Sequence, residues 1–273
     1  MNRGYQIEGA ARPLKGVFYA AVMFVVSLLF LHESPSFAAG MPLSVVSGSF
    51  VYEVAVAGEQ SSAISYRVEA TEYHGVRAWR IAWSDARMEA EHLISQKDGA
   101  PLYTQRINYR KHERVEVQYS LDPSRPHIYR RERRDETLVR RIHEPGLVDL
   151  GSLPQVLLGL QAGGNQGELH FKAIDYSDGS VYALLAKRVG YTTLNTQGRQ
   201  MPCALYEANL DSWKAAFNPA IKLQVPTQTR LTNFATYAGP DPAGGGKTAT
   251  LRMISSSSEV AVLSLPERTM LAH

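Results

Sequence analysis

One stretch of this chain, Asp149 to Gly164, has the period of a helix, while nearly every other ordered-looking segment has the period of a strand. Leu153, Val156, Leu157 and Leu160 fall at i, i+3, i+4 and i+7 and make one apolar stripe. Ser152 and Gln155 have the S-x-x-Q spacing of a capping box, in which each side chain would satisfy the other residue's backbone N–H. Pro154 is tolerated in a first helical turn, and Gly163 and Gly164 end the pattern. A helix of about three turns is marginal alone, so its stripe must be buried against the surrounding strands. The fold expected is mainly β: a curved antiparallel sheet, an incomplete barrel, wrapped around one short central helix.

The strand signal is alternation. In Ala63–Glu72, Ile64, Tyr66, Val68 and Ala70 share one face, with Ser65, Arg67 and Glu69 on the other. Phe50–Val56 and Val76–Trp83 are further strands, and Met88–Ser95 leads to a turn at Lys97-Asp98-Gly99. Tyr103, Gln105, Ile107 and Tyr109 define the expected inner face of the next strand, and Val115, Val117, Tyr119 and Leu121 that of its partner. Ile128–Arg134 and Thr137–Ile142 form a hairpin. After the helix come strands at Glu168–Tyr176, Val181–Val189 and Met201–Asn209, with turns at Ser177-Asp178-Gly179 and Asn195–Gly198. A brief helical turn is expected over Asp211–Phe217. Ile221–Val225, Thr229–Tyr237 and Thr248–Ile254 follow, and Val260–Leu265 would close the sheet.

The first residues read as an address. Arg3, Arg12 and Lys15 precede the apolar run Val17–Leu31, and Ser36-Phe37-Ala38 offers a small-residue cleavage pattern. Residues 1–38 are therefore expected to be a cleaved secretory signal peptide, the alternative being a retained N-terminal anchor. Cleavage would leave residues 39–273 as a single periplasmic half-barrel domain with a net charge of +2, too balanced to name a partner by charge. Cys203 is the only cysteine, so no internal disulfide can form and stability must come from burial.

No motif points to catalysis. Gly244-Gly245-Gly246-Lys247-Thr248 lacks the first glycine of a phosphate loop, since Asp241 stands there, and it precedes a strand-like segment. His112-Glu113-Arg114-Val115-Glu116 stops short of the zinc-protease pattern at its last position. Glu89, Glu91 and His92 could ligate a metal only with help from a neighbouring strand; solvated sheet residues are the plainer reading. No metal, cofactor or catalytic residue is assigned. Between Arg106 and Arg141 there are eleven Lys or Arg against six Asp or Glu. Arg110, Arg114, Arg130 and Arg131 are the candidates there for an anionic group, weighed against a solvated face on which Glu132, Asp135 and Glu136 pair with arginines.

The order of Phe50-Val51-Tyr52-Glu53-Val54 leading to Gly58, the Asp98-Gly99 turn, Asp149-Leu150-Gly151-Ser152-Leu153 and Gly198–Tyr206 with Cys203 resembles a bacterial periplasmic family. That family is a domain of unknown function whose strand-rich fold is similar to the lipoprotein carriers LolA and LolB. The resemblance implies an incomplete barrel over helical segments with an apolar cavity, and no enzymatic residues to carry over. The arginine-rich middle departs from the carriers.

The reading these features favour is a non-catalytic envelope protein that binds a lipid or other amphiphile. Tyr52, Tyr66, Trp79, Trp83, Leu157 and Leu160 are the candidate cavity residues, against the reading that the same residues are simply core. The alternative is an interaction or assembly module docking an envelope protein through a sheet edge or the arginine-rich face. Nucleic acid is not an expected partner, and the membrane would be met only transiently, at its surface.

Overall fold

A computed structural model of the chain describes residues 45–162, 168–196, 198–211, 220–227, 232–243 and 247–259. The expected signal segment with its cleavage at Ala38, the glycine helix end at 163–164, the helical turn over Asp211–Phe217, the Gly244–Gly246 loop and the Val260–Leu265 strand lie wholly or largely outside them.

The strands are β1 (Ser47–Val56), β2 (Ser62–Tyr73), β3 (Val76–Ser84), β4 (Met88–Ser95), β5 (Pro101–Asn108), β6 (Glu113–Gln118), β7 (His127–Arg133) and β8 (Glu136–Ile142) before the helix. After it come β9 (Glu168–Ile174), β10 (Val181–Thr196), β11 (Arg199–Leu210), β12 (Ile221–Pro226), β13 (Thr236–Pro240) and β14 (Thr248–Glu259). The 3-10 turn Leu150–Ser152 runs into helix α1, Leu153–Ala162. All fourteen strands form one antiparallel sheet in the order β8-β7-β6-β5-β4-β3-β2-β1-β14-β13-β12-β11-β10-β9. Hairpins link sequential neighbours, as short turns between alternating segments dictate. The one long-range pairing, β1 with β14, joins the two halves.

The sheet does not close. Its two edges, β8 and β9, are bridged by the chain that follows β8. Leu147 makes a parallel bridge to Lys172, and the Val148 N–H donates to the Lys172 carbonyl at 2.8 Å. The Lys172 ammonium meets Glu144 at 2.7 Å, and Tyr129 Oη donates to the Tyr176 carbonyl at 2.9 Å. Gly179, at the tip of the β9–β10 turn, has φ +76°, and a Cβ there would stand 2.6 Å from the Tyr129 ring. Glycine is required on both counts.

Inside, Phe50, Tyr52, Val54 and Val56 of β1 and Ile64, Tyr66 and Val68 of β2 are buried in the core that includes the helix, those of β2 following the expected alternation. It slips at Ala70, which is exposed. The helix is buried all round: Leu153 to Leu160, including Gln155, is out of solvent, not the stripe alone. A helix apolar on every side belongs inside a shell.

Two sequence expectations are corrected. The capping box does not form, because the 3-10 turn places Asp149 at the start. Ser152 Oγ donates to the Asp149 carbonyl at 2.8 Å, and Gln155 Nε2 donates to Tyr66 Oη at 2.7 Å. The face assigned to β5 is inverted. Tyr109 is 47% exposed and Ile107 half-buried, whereas Thr104 is fully buried and Arg106 and Asn108 face the interior. Register explains this, since Thr104 lies beside His92 and Val117, and Arg106 beside Ala90 and Val115, all on the inner side.

Candidate functional site: a chamber beside the helix

Wrapping fourteen strands around ten helical residues leaves space that the helix does not fill. A chamber of about 540 Å³ lies between the start of α1 and the inner face of the sheet. That is within the roughly 300–1,000 Å³ of small-molecule sites.

Part of its wall is aromatic. Tyr52 and Phe234 stack at 4.5 Å, and Tyr66 meets each edge-on, at 5.7 Å and 5.5 Å. Offset and edge-to-face contacts suit the ring quadrupoles. The hydroxyls are fixed too: Tyr52 Oη donates to the Phe234 carbonyl at 2.9 Å and lies 2.8 Å from Thr232 Oγ1. Burial raises the pKa of both tyrosines well above the ordinary phenol value. Ile64, Leu153, Leu223 and Leu251 add aliphatic surface.

The polar part gathers around Asp149, which is 1% exposed. Thr104 Oγ1 donates to its Oδ1 at 3.0 Å, and Tyr176 Oη donates to the same oxygen in a short hydrogen bond. His92 Nδ1 stands 2.7 Å from Oδ2, although off the line of a straight hydrogen bond. Trp83 Nε1 donates to His92 Nε2 at 3.2 Å. An indole N–H only donates, so Nε2 accepts and the ring proton sits on Nδ1, towards Asp149. Burial pushes the Asp149 carboxyl up. The adjacent His92 ring and the hydrogen bonds from Tyr176 and Thr104 outweigh that and hold it below its ordinary value. The imidazole nitrogen left without a proton accepts from Trp83.

Arg106 enters the chamber from β5. Its guanidinium lies 4.4 Å over the Tyr176 ring and donates through Nη2 to the Pro242 carbonyl. Asn108 Nδ2 holds the Ala243 carbonyl at 2.6 Å. Arg87 binds Asp85 at 2.7 Å and Asp241 at 3.0 Å. These β3–β5 contacts pin the segment after β13, Asp241 to Ala243, across the chamber.

Of the residues expected to line a cavity, Tyr52, Tyr66 and Trp83 do. Trp79, Leu157 and Leu160 are buried in the core around the helix and do not reach the chamber. The four candidate arginines are not brought together at it. Arg114 pairs with Glu116 and Arg130 with Glu132, both at 2.5 Å, and the β6–β7 register sets Arg114 opposite Glu132 and Glu116 opposite Arg130. Arg131 lies on the other face and donates to the Ser177 carbonyl, and Arg110 meets Glu59 at 3.3 Å. Part of that basic stretch is thus a charge-paired sheet surface. Glu91 likewise pairs with Arg80 at 3.0 Å on the face opposite His92, and among the described residues no group of three or more His, Cys, Asp or Glu side chains is placed to hold a metal ion. No described helix is long and apolar enough to cross a membrane.

Sequence reasoning missed Arg106, Asp149, Tyr176 and Phe234, and its reading of His92 as a solvated sheet residue is corrected, since that ring is buried. His92 had a signal: it shares the alternation of Met88, Ala90 and Ile94, which are all buried.

No family model matches the chain, and no curated protein does. Among solved structures, the chain is similar to the hypothetical lipoprotein YmcC from Escherichia coli K12, with 12% identity and a TM-score of 0.32 over 90% of this chain and 99% of that one. A putative lipoprotein from Parabacteroides distasonis shows 8% identity and a TM-score of 0.28, covering 81% of this chain and 99% of that one. A DUF1329 family protein from Desulfovibrio piger shows 10% and 0.26, covering 89% and 94%. At these scores the likeness is too distant to assign either family or function.

Proposed function

We propose that this is an exported, non-catalytic protein of the bacterial envelope that holds a lipid or other amphiphile in the chamber beside α1. The observation that carries this reading is the chamber itself, a space of about 540 Å³ with an aromatic and aliphatic wall and a few fixed polar groups. That combination is how small-molecule sites are built. The N-terminal pattern of Arg3, Arg12, Lys15 and Val17–Leu31 supports export to the periplasm.

The test is native mass spectrometry of delipidated protein after incubation with bacterial envelope extract. Wild type should gain a discrete non-covalent mass. Ala208→Trp, which fills the chamber from the buried, chamber-lining position Ala208, should gain none while keeping its far-ultraviolet spectrum. Wild type that takes up nothing contradicts the reading.

A docking role has one observation of its own. β8 ends the sheet order, and Val139 on it is 56% exposed, so a partner strand could add there. Affinity capture that yields a stable envelope protein with the chamber empty would favour it.

A further inference from the structure

Arg106 is a chamber-lining cation that leaves most of its donors unused and one of them buried. Of its five N–H groups, one reaches the Pro242 carbonyl, and Nε is shielded from water with no hydrogen-bond partner. The ring of Tyr176 under the guanidinium satisfies its face and leaves its edge open. Among the described residues no carboxylate forms an ion pair with it. Asp149 is engaged by Thr104, Tyr176 and His92, and Asp241 by Arg87. Glu113 and Asp175 face the same chamber and act on Arg106 only through space, and Lys111 lines the chamber as a second cation. A guanidinium withdrawn from bulk water beside aromatic rings, with its fork unfilled, is a costly arrangement for a stable fold. It becomes favourable when an anion supplies two oxygens to the fork.

We infer that the molecule held in the chamber carries a single carboxylate or phosphate, that Arg106 grips it, and that the apolar part lies against Tyr52, Tyr66, Trp83 and Phe234. This rests on the amphiphile reading and adds the chemistry of the head group. Lysine would not serve equally, because its ammonium is a point charge without the fork.

Binding of laurate, dodecanol, methyl laurate and inorganic phosphate to delipidated wild type, each organic probe below its micelle concentration at pH 8, separates the outcomes. Laurate should bind about tenfold or more tighter than dodecanol or methyl laurate, the worth of one charge-assisted contact. In Arg106→Met that preference should fall to about twofold or less, with dodecanol affinity unchanged and Arg106→Lys between the two. Equal binding of laurate and dodecanol to wild type overturns the head-group assignment and leaves the amphiphile reading standing. A preference that survives in Arg106→Met also overturns it. Binding of no chain-bearing probe overturns both readings, and phosphate alone binding as tightly as laurate reassigns Arg106 to a free anion. The methyl ester comparison needs no variant and tests the head-group chemistry even if Arg106→Met does not fold, while Arg106→Lys, and a Lys111→Met variant that should keep the laurate preference, tie it to Arg106 rather than to the second chamber cation.

Discussion

Gly151 stands where its backbone passes over the His92 ring, and a Cβ there would lie 2.3 Å from Cε1 and Nε2. The ring cannot retreat, because Trp83 and Asp149 hold its two sides. Gly151→Ala should cost about 1–3 kcal/mol of stability by urea denaturation, and less when combined with His92→Ala, which clears the space. An additive double variant would mean that the clash is not the cause. Asp149 predicts an acid limb. Its folded carboxyl titrates below the ordinary value of 3.8, so its contribution is complete above that value and is lost as pH falls through the lower folded value. Asp149→Asn should be less stable at neutral pH by about 1–3 kcal/mol and should lose less on acidification than wild type. Parallel stability curves from pH 7 to the acid limit would contradict this. None of this is legible in the sequence, because Asp149, His92 and Thr104 come from three segments that only the sheet register brings together.

The helix was the most readable element and still surrendered only half its character. Its apolar stripe announced it, but burial of the opposite side, with Gln155 anchored to Tyr66, depends on strands wrapping fully around it. Leu157 is fully buried in that core, so Leu157→Ala should cost about 2–5 kcal/mol, seen as a lowered urea midpoint. Val139→Ala on exposed β8 should change stability by about 0.5 kcal/mol or less, and equal losses at both sites would refute the inside-and-outside assignment. Strand positions were legible wherever apolar residues marked the inner face, as in β1, β2 and β6. In β5 the rule misled. The strand puts its polar residues, Thr104, Arg106 and Asn108, on the chamber side, and its outward Tyr103 is stacked on Tyr73 at 5.8 Å. A strand that turns its polar residues inward reads inside out when apolarity is the only guide.

At the scale of the molecule, the largest core cluster joins β1–β4 to β9–β14 through the β1–β14 pairing, and a second cluster ties β6–β8 to Ile174 of β9, so unfolding should be a single cooperative transition. Cys203 reports on it. The thiol is fully buried and its pKa is pushed up to about 11 by that burial, so at pH 8 it is both shielded and un-ionised. Labelling by a disulfide reagent should be negligible in buffer and should appear along the urea transition followed by Trp fluorescence. Rapid labelling of folded protein would show that the β10–β12 region opens independently. The incomplete barrel was legible from hairpin order and alternation. The chamber was legible only as a consequence, since its volume depends on how far a helix of ten residues falls short of filling a sheet of fourteen strands.

The central claim is that this unfilled space receives an amphiphile. Crystals grown with a chain-brominated fatty acid test it most directly. Anomalous bromine density should lie inside the shell near Trp83 and Phe234, with the carboxylate on Arg106. Density confined to the outer surface, or a chamber that stays free of the fatty acid at saturating concentration, would contradict the account.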